Sequence, residues 1–229
     1  MRGAALGLAF WSVASSVATG GEAPAVVRIM ALGDSITEGS TVESSYRFWL
    51  AQGLAASGVE FDFVGSLRGA RSGPVPAGFD ADHEGHWGWR ADEVSRELSA
   101  WARAAPPDLA LVHLGHNDLF QGESVETTIE DLRGIVGALR EANERISVLL
   151  AAIVPSTYPS LSGVPALNHG IAELAAELDR PAARVLVVDL ASPFDPVVHT
   201  LDGAHPNVEG ARQMAAAWLA ALREVLPAP

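Results

Sequence analysis

The sequence predicts a three-layer α/β/α domain with a mainly parallel, five-stranded sheet. Short apolar runs alternate with longer helical patterns, and no long structureless gap separates them. The runs are almost continuously apolar, which indicates strands covered on both faces, as in a parallel sheet. The predicted strands are Val26–Leu32, Val59–Gly65, Leu109–Leu114, Ser147–Val154 and Arg184–Leu190.

Five helical patterns lie between and after these strands. A flavodoxin-like strand order, 2-1-3-4-5, would place the ends of the first and third strands side by side at the switch point. A capping box is expected at Thr127-x-x-Glu130. The Gly/Pro/Ala-rich segment Arg68–Phe79 is expected to be a loop that borders the site. The predicted helices are Ser45–Ala56, Ala91–Arg103, Thr127–Asn143, Ala166–Leu178 and Asn207–Val225.

Composition limits the classes of function. The 229 residues carry a formal net charge of -13, which disfavours nucleic acid and strongly acidic substrates and favours neutral ones. The absence of Cys excludes disulfides, thiolate metal sites and a Cys nucleophile. With 48% hydrophobic residues the composition is that of a globular protein.

The N-terminal segment has the pattern of a signal peptide. One Arg precedes an apolar run from Ala4 to about Val17, and small residues follow. We therefore expect a signal peptide over residues 1–24, one domain over residues 25–229, and a secreted or periplasmic protein without a membrane partner. A surface-packed N-terminal helix is the alternative. The apolar run is too short for an ordinary membrane span.

The first candidate for chemistry is Ser35. It follows the first predicted strand within Gly33-Asp34-Ser35, at the sheet edge where open α/β sheets place reacting groups. A serine at this position is a candidate nucleophile, or it caps the turn that follows. The G-x-S-x-G motif of α/β-hydrolases does not occur in the chain.

Three further blocks supply possible partners for Ser35. Asp202 precedes His205 by three residues, and a carboxylate at this spacing can hold the imidazole in the tautomer that accepts a serine proton. Asn117 follows the third strand, where its amide can donate to an oxyanion. Gly88 lets backbone approach a ligand closely. Each block alone is also compatible with an ordinary turn.

Together the four blocks resemble the SGNH (GDSL-type) hydrolase superfamily. The resemblance spans about Ile29 to Ala211, and LGDSITEG, YRFWL, DFVGS and HEGHWGWRADEV are similar to acetyl xylan esterases of carbohydrate esterase family three. It implies Ser35 as nucleophile, His205 as general base and Asp202 as its orienting residue. It implies Ser35, Gly88 and Asn117 as oxyanion donors, and no cofactor.

Four residues are expected beside the substrate pocket: Asp34, Trp87, Trp89 and His116. The sequence departs from the family pattern at His116, where Thr is common, and at Trp87, where a smaller residue is usual. The two indoles would offer flat faces to a sugar ring or acyl chain and so favour short acyl groups. Packing beneath the loop is the alternative for both.

His83, His86 and His113 have no role in the expected serine chemistry. His83 and His86 lie in an acidic stretch without a recognised ligand spacing, so no metal is expected. His113, inside an apolar strand, is expected to be a hydrogen-bonded core residue. The other acidic residues of the stretch are Asp80, Asp82 and Glu84.

The resemblance implies hydrolysis of short acyl esters, acetyl esters of carbohydrates above all, through an acyl-Ser35 intermediate. The expected partner is a small-molecule or polysaccharide ester. The alternatives are a carbohydrate O-acyltransferase or a lipase-like or thioesterase-like enzyme of the same superfamily. A non-catalytic carbohydrate-binding protein is a further alternative from another class.

Overall fold

The computed structural model describes residues 26–226. The predicted signal peptide over residues 1–24 lies outside them, and it stays a prediction, as do the domain boundary and the export of the protein. Among the described residues no helix is both long and apolar enough to span a membrane. The strands are β1 Val27–Gly33, β2 Phe61–Val64, β3 Leu67–Arg68, β4 Asp82–Gly85, β5 Leu109–His113, β6 Ser147–Ala152 and β7 Val185–Asp189.

The strands form one mixed sheet in the order β3-β4-β1-β5-β6-β7, and β2 also pairs with β1. The five predicted strands correspond to β2, β1, β5, β6 and β7, all parallel and in the predicted order, so the predicted fold class is confirmed. β2 pairs with the first half of β1, and β4 pairs with its end at Leu32 and Gly33. β3 and β4 were not predicted, and their pair is antiparallel.

Helices cover the sheet and complete the three layers. α2 packs against α8, while α5 packs against both α3 and α6. The core lies between these helices and the sheet, and all five residues of β5 are buried. The helices are α1 Ser35–Glu38, α2 Tyr46–Ala56, α3 Ala91–Ala104, α4 His116–Gln121, α5 Val125–Ala142, α6 Val164–Leu178, α7 Pro196–His199 and α8 Val208–Val225.

Three of the long helices, α2, α5 and α8, begin at polar caps whose side chains accept a backbone N–H. The Ser45 side chain accepts a hydrogen bond from the Arg47 N–H, and Asn207 accepts one from the Gly210 N–H. The capping box predicted at Thr127 and Glu130 is wrong. Ser124 is the cap and accepts from the Thr127 N–H, so α5 begins two residues before the predicted start.

Arg47 is a fully buried cation that joins the segments around β1. Its guanidinium group donates to five carbonyl oxygens, and burial lowers its pKa to about 10. These acceptors lie on α1, β4 and the loop that connects β3 to β4, so a single side chain links three segments. The carbonyl groups belong to Thr37, Glu38, Gly69, Ala81 and Asp82.

We expect Arg47→Met to lower the free energy of unfolding by about 3 kcal/mol or more, because buried carbonyl groups would lose their donors. Urea denaturation measures the effect. Arg68→Met is the matched control, since Arg68 forms an exposed ion pair with Asp82 and should contribute less than about 1 kcal/mol. Equal denaturation midpoints for the wild type and Arg47→Met would contradict this role.

Candidate active site

The end of β1 places Ser35 at the first turn of α1. Asp34 caps this turn, since its Oδ1 accepts a hydrogen bond of 2.9 Å from the Ile36 N–H. Gly33 is required for close packing, because a Cβ there would lie 2.2 Å from the Thr37 Oγ1 and 2.7 Å from the His113 carbonyl oxygen. β1 therefore places Ser35, a residue only 7% exposed, at the carboxyl edge of the sheet.

The turn that carries Asp202 and His205 meets Ser35 across 170 residues of sequence. The His205 Nε2 lies 3.0 Å from the Ser35 Oγ, and its Nδ1 lies 2.8 Å from the Asp202 Oδ2. An Nδ1–H that donates to the carboxylate leaves Nε2 free to accept from the hydroxyl. The structure thus brings the three side chains together in a nucleophile, base and carboxylate array.

Asp202 is anchored by the turn itself. Its Oδ1 accepts from the backbone N–H groups of Ala204 and His205 at 3.0 and 2.8 Å. Partial burial raises the pKa of this carboxyl, but the hydrogen bonds from the His205 side chain and backbone outweigh it, and the net shift is downward. Asp202 is therefore held as a carboxylate that faces the imidazole.

Asn117 lies in α4, directly after β5, and its amide is already engaged. Nδ2 donates to the Trp89 carbonyl oxygen at 3.0 Å and, more weakly, to the Asp34 Oδ2 at 3.4 Å. Gly88 adopts a φ of 82°, which favours glycine, and its carbonyl oxygen accepts from the Gln121 side chain. Asn117 borders the cavity beside Ser35, whereas Gly88 is not among its lining residues.

A cavity of about 120 Å³ opens beside Ser35, and its lining is mostly apolar. Asp34 and His116, both expected in the pocket, line it, but Trp87 and Trp89 do not. The expectation that the indoles form a wall of the pocket therefore does not hold for this cavity. The lining residues are Asp34, Ser35, Ile36, His116, Asn117, Phe120, Tyr158, Leu161, Ala204 and His205. Sequence reasoning missed Phe120, Tyr158 and Leu161, because they come from segments without a motif.

The two indoles pack on other side chains instead. Trp87 stacks on the His205 imidazole, with centroids 4.8 Å apart and planes 15° apart. The Arg71 guanidinium lies 5.4 Å from the Trp87 centroid, so the loop expected to border the site contributes to this stack. Trp89 stacks on His86 at 4.5 Å. Trp87 thus stacks on the imidazole of the array, whereas Trp89 stacks on His86.

The two histidines of the acidic stretch form hydrogen bonds with different partners. His83 Nδ1 accepts from the Gly85 N–H, and His86 Nε2 lies 2.7 Å from the buried Glu84 carboxylate. His113 departs from expectation, because neither ring nitrogen has a hydrogen-bond partner among the described residues. Fully enclosed by the core, this imidazole has a strongly lowered pKa.

Asp34 and His116 carry shifted pKa values next to the array. Burial raises the pKa of Asp34 to about 7, against a smaller lowering effect of the Ile36 N–H, and Asp118 raises it further. Burial lowers the pKa of His116 to about 4. Both shifts disfavour charge on groups that lie one residue before Ser35 and Asn117.

The model of the GDSL-like Lipase/Acylhydrolase family matches residues 31–213. The chain belongs to this family. The description of the family is that of lipases and acylhydrolases, which act on acyl esters. The matched segment contains Ser35, Asn117, Asp202 and His205, so the family match and the geometry concern the same part of the chain.

Known relatives of the chain agree with the narrower resemblance. A carbohydrate esterase family 3 structure from Talaromyces cellulolyticus is 29% identical with a TM-score of 0.80, and the alignment covers 87% of this chain and 98% of that one. An acetyl esterase mutant crystallised with an acetate ion is 30% identical with a TM-score of 0.76, over 87% and 98% of the two chains. The resemblance to carbohydrate esterase family three is confirmed.

A multidomain esterase from Ruminococcus flavefaciens is 25% identical over 98% of this chain. The chain spans about a third of the length of this curated relative, 32%. The aligned part is therefore one segment of a longer esterase.

We expect Trp87→Ala to lower kcat for ester hydrolysis by about tenfold, because an imidazole without its stacking surface leaves the productive orientation. KM and the preference among acyl chain lengths should stay unchanged, since Trp87 does not line the cavity. Steady-state kinetics with p-nitrophenyl acetate and longer esters measure both. Trp87→Phe, which keeps a ring, should retain most of the activity. A changed chain-length preference with unchanged kcat for acetate would restore the wall interpretation.

Proposed function

We propose that the protein hydrolyses short acyl esters, acetyl esters of carbohydrates in particular, through a covalent acyl-Ser35 intermediate. The contact of 3.0 Å between the Ser35 Oγ and the His205 Nε2 carries this proposal. The similar acetyl esterase structure supports an acetyl group as the acyl part of the substrate. The similar carbohydrate esterase structure supports a carbohydrate as its alcohol part. The net charge of -13 fits a neutral carbohydrate better than an acidic one.

In the first half of the reaction, the Ser35 Oγ attacks the ester carbonyl carbon while the His205 Nε2 takes the hydroxyl proton. Asp202 stabilises the imidazolium that forms. The imidazolium then donates this proton to the alcohol oxygen as the carbon–oxygen bond breaks. A water molecule then attacks the acyl-Ser35 ester with the same help from His205. This second half releases the carboxylic acid and restores the Ser35 hydroxyl.

The oxyanion is stabilised by the Ser35 N–H and the Asn117 amide in this mechanism, with the Gly88 N–H as a further donor. The Asn117 bond to Asp34 is the longer of its two bonds, at 3.4 Å. This N–H can therefore turn to the oxyanion while the bond of 3.0 Å to the Trp89 carbonyl keeps the amide in place. Such a donor favours the tetrahedral intermediate over the planar ester.

The cavity beside Ser35 fits a short acyl group. Its volume of about 120 Å³ is smaller than that of the roughly 150 Å³ apolar cavity that accommodates benzene in another protein. Ile36, Phe120 and Leu161 supply the apolar surface that an acyl chain would contact. The restriction on chain length thus comes from this lining rather than from the indoles.

Ser35→Ala should lower kcat by several orders of magnitude, because the nucleophile is removed. The measurement is the release of acetate from acetylated xylan, together with a series of p-nitrophenyl esters from acetyl to octanoyl. Ser192→Ala, which removes an exposed hydroxyl after β7 and outside the cavity lining, is the control and should retain full activity. Near wild-type turnover by folded Ser35→Ala would exclude the mechanism, and an optimum at octanoyl would exclude the short acyl group.

Asn117→Ala should raise the activation free energy by about 2.7–4 kcal/mol, the range for loss of one oxyanion donor. The loss should fall on kcat and leave KM nearly unchanged, because the donor acts on the intermediate. Kinetics and thermal unfolding are measured on the same preparation. Retained kcat together with lowered stability would mean that the amide only anchors the Trp89 carbonyl.

A further inference from the structure

Three buried side chains with metal-ligand chemistry converge behind Ser35. Asp34 follows β1, His113 ends β5, and His116 begins α4. One carboxylate oxygen and one nitrogen of each imidazole lie within 4.8 Å of one another. All three residues are more than nine-tenths buried, with exposures of 1%, 0% and 6%. In the described part of the chain this is the one such group of three or more.

The imidazole nitrogens of this cluster lack the hydrogen bonds that buried polar atoms normally make. The His116 Nε2 donates to the Val154 carbonyl oxygen at 2.8 Å, which leaves Nδ1 as a bare acceptor with no partner among residues 26–226. Metal-binding histidines usually have this arrangement, in which one nitrogen is fixed by a carbonyl group and the other binds the ion. His113 offers a further unpartnered nitrogen.

We propose that Asp34, His113 and His116 bind a divalent cation of the zinc class. Two imidazoles and one carboxylate suit zinc and related transition metals, whereas magnesium and calcium prefer oxygen ligands alone. The ring centroids are 5.3 Å apart, close to the roughly 5 Å expected for two imidazoles on one tetrahedral ion. Asp34 and His116 also line the cavity, which gives the ion an entry path and a water a fourth position.

The ion would tie together the two turns on which the site is built. Asp34 precedes Ser35, and His116 precedes Asn117, so shared coordination fixes the spacing between the nucleophile and the amide. The other ligand, His113, is paired with Gly33 in the register of β1 and β5. This role is a positioning role, and the serine mechanism itself needs no metal.

The test is direct binding of Zn²⁺ to the purified full chain. Protein stripped with a chelator is dialysed against buffered Zn²⁺, and the bound metal is measured by mass spectrometry. We expect close to one ion per chain in the wild type and an affinity at least tenfold weaker in His113→Ala and His116→Thr. Adding Zn²⁺ should raise the Tm of the wild type but not that of these two variants. His169→Ala is the matched control, because it removes an exposed histidine far from the cluster in sequence.

Ser35→Ala should bind Zn²⁺ as the wild type does, so that a failure of the ester hydrolase mechanism and a failure of the metal site are distinguishable. Co²⁺ is the second probe and should give the visible spectrum of a site with nitrogen and oxygen ligands. His116→Thr should lose this spectrum, and this variant tests the proposal if His113→Ala does not fold. The proposal is overturned when the wild type binds no ion, or when the cluster variants bind as much as His169→Ala.

Discussion

The parallel pairing of β1 with β5 is the constraint on which the site depends. This register sets Gly33 opposite His113, so the chain leaves both strands at the same edge of the sheet. Ser35 follows one exit and Asn117 the other, and the Asp34–Asn117 contact joins them. The pairing is close only because Gly33 has no Cβ, since one there would collide with the His113 carbonyl and Thr37. A single missing side chain thus sets the distance between the two turns.

The His205 turn reaches this edge through backbone contacts rather than through a strand. The Gly203 carbonyl accepts from the Thr157 N–H and the Ser156 hydroxyl, which follow β6. Gly203 has a φ of 94°, and a Cβ there would lie 2.0 Å from the Thr157 Oγ1. The third segment of the site is therefore anchored to a third parallel strand, and the sheet edge collects nucleophile, amide and base.

The elements that the sequence predicts well are those with a long periodic pattern or a recurring motif. The five buried strands, their order and the segments around Ser35 and His205 belong to this group. β4 escaped prediction because Asp82–Gly85 is polar and pairs with only the last residues of β1. The stack on Trp87 and the cluster of Asp34, His113 and His116 could not be predicted, because contacts between residues distant in sequence depend on register and rotamer.

The exposure of the array explains why the stack matters. The Asp202 side chain is 45% exposed, so solvent screens its attraction to His205, and their hydrogen bond fixes only one edge of the imidazole. Trp87 covers a face of that ring, and Arg71 lies over the indole. Arg71 belongs to the loop whose N–H groups bond the carbonyls of Gly39 and Ser40 after α1. Direct contacts therefore connect the turn of Ser35, the Arg71 loop and the imidazole of His205. A shift of the loop would reach His205 through the packing of Trp87.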